Sequence, residues 1–198
     1  MKVALGLKAH SGWAALVVIG NSGSELQVID RRRIELVEEK DSRWAKQPYH
    51  AAEALDPDAA RDLVKRATKA AYRTADREMR ATMKRLRKQE HKIVGCAVLV
   101  PSPMPEWSVD QILAVHFRMH QAEGVLFPEA LARAANKCGL NLITIPEKIL
   151  SERAEKLLAT PLSGLTSKVT MLGKTVGPPW GKDQKTAALA AMVVLQGT

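Results

Sequence analysis

His116, His120 and Glu123 stand four and three residues apart, so a helix would carry two imidazoles and a carboxylate on one face. Imidazole nitrogen and carboxylate oxygen suit Zn²⁺ and other transition ions, which makes these three residues a candidate metal set. The spacing lacks the glutamate that directly follows the first histidine in zinc-peptidase helices, so it does not by itself point to peptide hydrolysis. His10 precedes Ser11, a base beside a nucleophile, but chain neighbours seldom face one another and no orienting acid is close in sequence. Asp183, at the start of an alanine-rich helical stretch, offers another carboxylate. Ligands of α/β proteins favour strand ends, so His10, Ser11, Glu123 and Asp183 are expected to border one cleft, with Asp183, Glu123 and His10 as candidate catalytic groups. Gly173-Lys174-Thr175 lacks the upstream glycine of a phosphate-binding loop and is set aside.

A second kind of chemistry lies in the charge. The chain of 198 residues carries a formal charge of +9. Between Pro57 and Lys92 there are 12 basic and 5 acidic residues, so most of the surplus sits in this one stretch. Concentrated positive charge suits a polyanion, because each neutralised phosphate releases condensed counterions. Arg66, Arg73, Arg77, Arg80, Lys84 and Arg87 are the candidate phosphate contacts, and DNA or RNA the candidate partner. The bland alternative is a solvated helix face. Aromatic residues make up only 4%, which argues against a stacking platform for single strands.

Several classes are excluded or disfavoured. The two cysteines, Cys96 and Cys138, lie in apolar sequence and support neither a disulfide scaffold nor a cysteine zinc cage. They fit a reducing cytoplasm. No apolar run approaches the ~20 residues that span a bilayer. Met1-Lys2 runs directly into a strand pattern, so no signal peptide is expected. No cofactor is expected, and no membrane contact; a homodimer is one open option.

The elements follow from periodicity. Val3–Leu7, Trp13–Ile19 and an alternating run through Leu26, Val28, Ile34 and Leu36 read as three antiparallel strands, with a turn at Gly20–Gly23. Glu38 to Leu55 reads as an irregular polar segment pinned by Trp44, Pro48 and Tyr49. Asp56-Pro57 opens a long basic helix over about 57–90, with Ala60, Leu63, Ala67, Ala71, Ala75, Met79 and Met83 on its inner face. Ile93–Val100 reads as a strand buried on both faces. Ser108 and Gln111 form a capping box that opens one second helix, ending at Cys138-Gly139. Leu140–Ile145 is a further strand and Ile149–Leu158 a helix. The Gly-, Pro-, Ser- and Thr-rich stretch 160–181 reads as a flap with Trp180 as a lid, and a last helix runs through Leu189 and Leu195. The order predicts a single α/β domain over residues 1–198: a five-stranded mixed sheet, three antiparallel strands then two parallel, with helices on both faces.

Gly6-Leu7-Lys8-Ala9-His10-Ser11-Gly12-Trp13 resembles the first-hairpin signature of RuvC-type Holliday-junction resolvases and their YqgF-like relatives. Gln121-Ala122-Glu123-Gly124, the later Gly139-Leu140 and Ile145-Pro146, and the alanine-rich run Ala187–Met192 are similar to that family's helix–strand–proline unit and closing helix. The resemblance implies a ribonuclease H-like fold and a nuclease ancestry in which carboxylates hold Mg²⁺ or Mn²⁺. This sequence departs from the pattern at the metal. Lys8 holds the first-strand aspartate position, Pro101-Ser102-Pro103 follows the fourth strand without a carboxylate, and Ala187 stands where the closing helix should carry an acid. Asp183, one turn earlier, could rescue a single ligand. The expectation is therefore a degenerate, non-catalytic or altered nucleic-acid-associated protein, with Lys8 neutralising a phosphate where the metal would have been. The alternatives are a divergent Mg²⁺- or Mn²⁺-dependent nuclease using His116, His120, Glu123 and Asp183, and a protein-interaction scaffold using the basic helix.

Overall fold

In a computed structural model, which describes residues 1–23 and 25–197, three strands open the chain: β1 (Lys2–His10), β2 (Trp13–Ser22) and β3 (Glu25–Glu35). Two short helices follow, α1 (Ser42–Ala45) and α2 (Pro48–Ala52), then the long α3 (Pro57–Lys88) and β4 (Lys92–Val100). The remainder is α4 (Val109–Leu113), α5 (His116–Lys137), β5 (Leu142–Pro146), α6 (Leu150–Leu158), α7 (Leu162–Val176) and α8 (Lys182–Gln196). The strands form one sheet in the order β3-β2-β1-β4-β5. β1 pairs antiparallel with β2, and β2 with β3; β4 runs parallel to β1, and β5 to β4. This is the mixed sheet the sequence order demands.

β1 sits at the centre, and its alternation separates two cores. Val3, Leu5 and Leu7 face one layer with the alanines of α3 and with Leu126, Phe127 and Leu131 of α5. Ala4 faces the other layer, with Val17 and Ile19 of β2 and the apolar side of α8. Gly6, Lys8 and His10 share the parity of Ala4, so this second face carries the polar end of β1. Gly6 is where α8 lies closest: a Cβ there would fall 1.8 Å from the Ala187 carbonyl oxygen. The small residue lets the helix backbone rest on the strand, and that contact fixes the height of Asp183 above the strand end.

α3 forms as its pattern requires. Asp56 accepts from the Ala59 N–H at 3.0 Å, Pro57 takes the first turn, and the buried stripe includes Ala60, Ala67, Ala71, Ala75, Met79 and Met83. Gly139, at φ +69°, closes α5 as a left-handed stop. Three segments are more regular, or more divided, than the periodicity predicts. The segment 38–55 contains α1 and α2. The single helix expected after Ser108 is two: the capping box opens the short α4, Val115 is extended, and the Arg118 guanidinium donates to the Gln111 carbonyl across the break.

The stretch 160–181 holds α7 and a clamped connection. The Trp180 indole lies against Gly173 and donates to the Val169 carbonyl, while Arg31 of β3 donates to the Gly177 and Pro179 carbonyls, each at 2.7 Å. No helix among the described residues is long and apolar enough to cross a membrane.

Candidate strand-end site and nucleic-acid interface

The carboxyl end of β1 presents Lys8 and His10 toward α8. Lys8 is only 7% exposed, and its ammonium donates to the Glu147 carboxylate, which follows β5 at the same end of the sheet. The register makes this meeting local, since Lys8 pairs with Leu99 and Val100 with Pro146. His10 Nε2 comes within 3.0 Å of Asp183 Oδ1 in the first turn of α8. That approach has ion-pair distance without hydrogen-bond alignment, so the buried ring nitrogen has no hydrogen-bond partner. The His10 ring stacks on Trp13 at 4.4 Å between centroids, and the Arg33 guanidinium lies 4.0 Å over the Trp13 ring. Each strand-end carboxylate thus already faces a basic side chain of β1.

Of the other predicted residues, the six cations of α3 are all exposed. Arg66 lies over Trp44, and Arg77 pairs with Glu38 and Glu78. Arg73, Arg80, Lys84 and Arg87 have no ion-pair partner among the described residues. Arg80, Lys84, Arg87 and Lys137 of α5 line a cavity of about 460 Å³ with Met83 and Cys138, and Asp76 offsets one of those charges by pairing with Lys137. Desolvation pushes the Cys138 thiol above its usual range, opposed by the charges of Arg80 and Arg87.

Glu123 does not join His10 and Asp183. It is 5% exposed on α5, whose buried side packs in the core opposite α8. Its Oε1 accepts from the backbone N–H groups of Tyr49 and His50, both at 3.1 Å, and its Oε2 lies 2.8 Å from His50 Nδ1. α2 has no side-chain cap of its own, so the carboxylate of α5 satisfies its first-turn donors. Burial pushes the neighbouring Tyr49 phenol above its usual value, and the charges of Glu123 and Glu129 add to that. His116 and His120 do come together as the helical spacing predicts, with their Nε2 atoms 3.1 Å apart. The four-membered set His116, His120, Glu123 and Asp183 therefore forms no single centre.

Comparison with solved structures fits this architecture. A Thermus thermophilus RuvC structure in complex with a Holliday junction substrate aligns over 98% of this chain and 92% of its own, at TM-score 0.52 and 10% identity. A second T. thermophilus RuvC structure aligns over 96% and 92%, at TM-score 0.50 and 10% identity. The chain has the RuvC, ribonuclease H-like fold. No family model and no curated protein sequence matches it. At this identity the RuvC likeness establishes architecture, and chemistry must come from the side chains.

Four participants escaped sequence reasoning. Glu147 carried a signal, since it directly follows Pro146 at the end of a parallel strand, where polar groups of an α/β sheet converge. His50 carried none: it lies more than sixty residues from His116, in a segment without periodicity. Arg31 and Arg33 looked like surface charges of an alternating strand, and only the pairing of β3 with β2 aims them at the α8 face.

Proposed function

We propose that this RuvC-fold protein is a nucleic-acid-associated protein whose strand-end nuclease centre is lost, and which holds phosphates through the exposed side of α3. The observation that carries the reading is the Lys8–Glu147 pair: a buried ammonium occupies the first-strand position and consumes the one carboxylate at the end of β5. A divalent ion needs several anionic oxygens, and a fixed cation in their midst repels it. Lys8 is accordingly a substitute for metal charge inside the protein, while Arg73, Arg80, Lys84 and Arg87 supply the charge that faces outward. The junction substrate named for the RuvC complex makes branched DNA the first ligand to test.

The test is binding to duplex, junction and single-stranded DNA across a salt series. Affinity should fall steeply with salt, by about 0.9 log unit per log unit of salt for each duplex phosphate neutralised. An Arg80→Glu/Lys84→Glu/Arg87→Glu variant should bind more weakly and with a shallower slope. Affinity that stays flat as salt rises, or an unaltered triple variant, would refute phosphate binding by α3. Cleavage of the same DNAs in Mg²⁺ or Mn²⁺, abolished by Asp183→Ala, would refute the loss of the strand-end centre.

A further inference from the structure

We propose that His50, His116 and His120 form a three-imidazole site for a borderline divalent transition ion, with zinc as the reference ion and Glu123 as the carboxylate that positions His50. One ligand nitrogen from each ring can be chosen so that all lie within 4.8 Å of one another. Ring centroids are 4.7 Å apart for His50–His120 and His116–His120 and 5.2 Å for His50–His116. A zinc–nitrogen distance of about 2.0–2.1 Å in a tetrahedron places two ligand nitrogens about 3.3 Å apart. The His116–His120 pair, at 3.1 Å, already stands at that edge length. Rotation of the exposed rings brings in the third.

The independent observation is on the far side of His50. Its Nδ1 faces a buried carboxylate oxygen at 2.8 Å, an acceptor that favours the tautomer with the proton on Nδ1, and in that neutral tautomer Nε2 keeps a lone pair for a metal. A carboxylate behind one imidazole nitrogen, which leaves the other for ligation, is the arrangement that orients metal-binding histidines and raises their basicity. Glu123 is itself fixed by two backbone N–H groups of α2, so the ring it holds is fixed too. Without an ion, three neighbouring imidazoles can satisfy each other with at most one donor per neutral ring. Solvent-facing histidines gain nothing from converging that water would not give them.

The chemistry selects the ion. Three imidazoles without thiolate or ligating carboxylate suit Zn²⁺, Co²⁺, Ni²⁺ or Cu²⁺ far better than Mg²⁺ or Ca²⁺, which prefer oxygen. His116 and His120 are exposed, so solvent completes the fourth position and the ion keeps an exchangeable ligand. The site is separate from the strand-end cluster and independent of phosphate binding by α3. It would tie α2, in the segment between β3 and α3, to the amino-terminal turns of α5.

The experiment uses the full chain without a histidine tag, stripped with chelator and titrated with Zn²⁺ against a chromophoric competitor. One equivalent should bind, and Co²⁺ should give the intense visible absorption of a tetrahedral site. The exposed pair His116→Ala/His120→Ala should lower Zn²⁺ affinity at least 100-fold while the circular dichroism spectrum stays unchanged. Glu123→Gln should lower it about 10- to 100-fold. Binding of less than one-tenth equivalent, an octahedral Co²⁺ spectrum, or an unchanged affinity in the double histidine variant would overturn the proposal.

Discussion

Two polar clusters flank the same sheet, one under α8 and one between α2 and α5, and both contain histidine beside carboxylate. They differ in what the carboxylate does. At the strand ends Glu147 and Asp183 meet Lys8 and His10 of β1 directly, so the Lys8 ammonium brings positive charge to the place where oxygen ligands would stand. Between α2 and α5 the carboxylate of Glu123 points inward, capping a helix and holding His50, while the imidazoles converge outward. A carboxylate paired with an ammonium is spent; a carboxylate behind an imidazole strengthens a ligand. Residue type alone does not separate these cases, since Glu and His occur in both. The deciding variable is the nearest cation.

The comparison breaks first at Gly6. A Gly6→Ala substitution puts a methyl group on the Ala187 carbonyl and forces α8 off the sheet, taking Asp183 away from His10. Overpacking against backbone should cost ~3 kcal/mol or more, read as a lowered midpoint in urea. The α2–α5 cluster lies in the other core layer, so Zn²⁺ affinity measured under folding conditions should change far less than stability. A fully stable variant would show that α8 does not rest on β1 as described.

Neutralising the buried charge in each cluster sharpens the contrast. Glu123→Gln keeps shape but turns an amide toward donors, and should cost about 2–3 kcal/mol because charge-assisted bonds to two backbone N–H groups and an imidazole are weakened. Lys8→Met fills the same space without a charge, and Glu147, whose side chain is 45% exposed, regains water. That change should fall within about 1 kcal/mol of neutral in either direction, since buried ion pairs seldom outdo well-packed apolar replacements. Denaturation curves of both variants decide it: a larger loss for Lys8→Met than for Glu123→Gln would reverse the assignment of which cluster depends on its charge.

The sequence made one of these clusters far more legible than the other. Strand parity places Lys8 and His10 on one face, and the alanine-rich run after Asp183 identifies the helix above them, so the strand-end site was half visible in spacing alone. Its partner Glu147 could have been added from the rule that strand ends converge. In the other cluster only the helical spacing of His116 and His120 was legible, and the structure keeps it. Glu123 was misplaced because i+7 spacing fixes a helical face but not which oxygen donors lie beyond it, and α2 was hidden in a segment without periodicity. Long-range partners such as His50 depend on how the segment before α3 docks, and no local pattern encodes that. The division of the second helix at Val115 was likewise invisible, because Ser108 to Cys138 keeps a continuous apolar stripe across the break.

The smallest expected effect tests whether α3 and α5 form one framework beneath the imidazoles. Tyr72 of α3 donates from its hydroxyl to Glu129 of α5 at 2.5 Å, and desolvation, that hydrogen bond and the Glu129 charge together hold the phenol up at about 12. The folded value lies above the ordinary 10.0, so the folded state keeps this proton longer than the unfolded chain does. The stabilising contribution is therefore complete below pH ~10 and declines as pH rises through ~12. Other groups, above all lysines, titrate in the same window, so the informative quantity is the difference between wild type and Tyr72→Phe. The wild type should be modestly more stable at neutral pH, the hydroxyl being partly solvated, and its advantage should shrink toward pH 12. A gap that is constant with pH would mean that the α3–α5 contact owes nothing to the phenol–carboxylate bond, leaving the packing of Ala71 and Ala75 and the Asp76–Lys137 pair to hold α3 against α5 beneath the imidazoles.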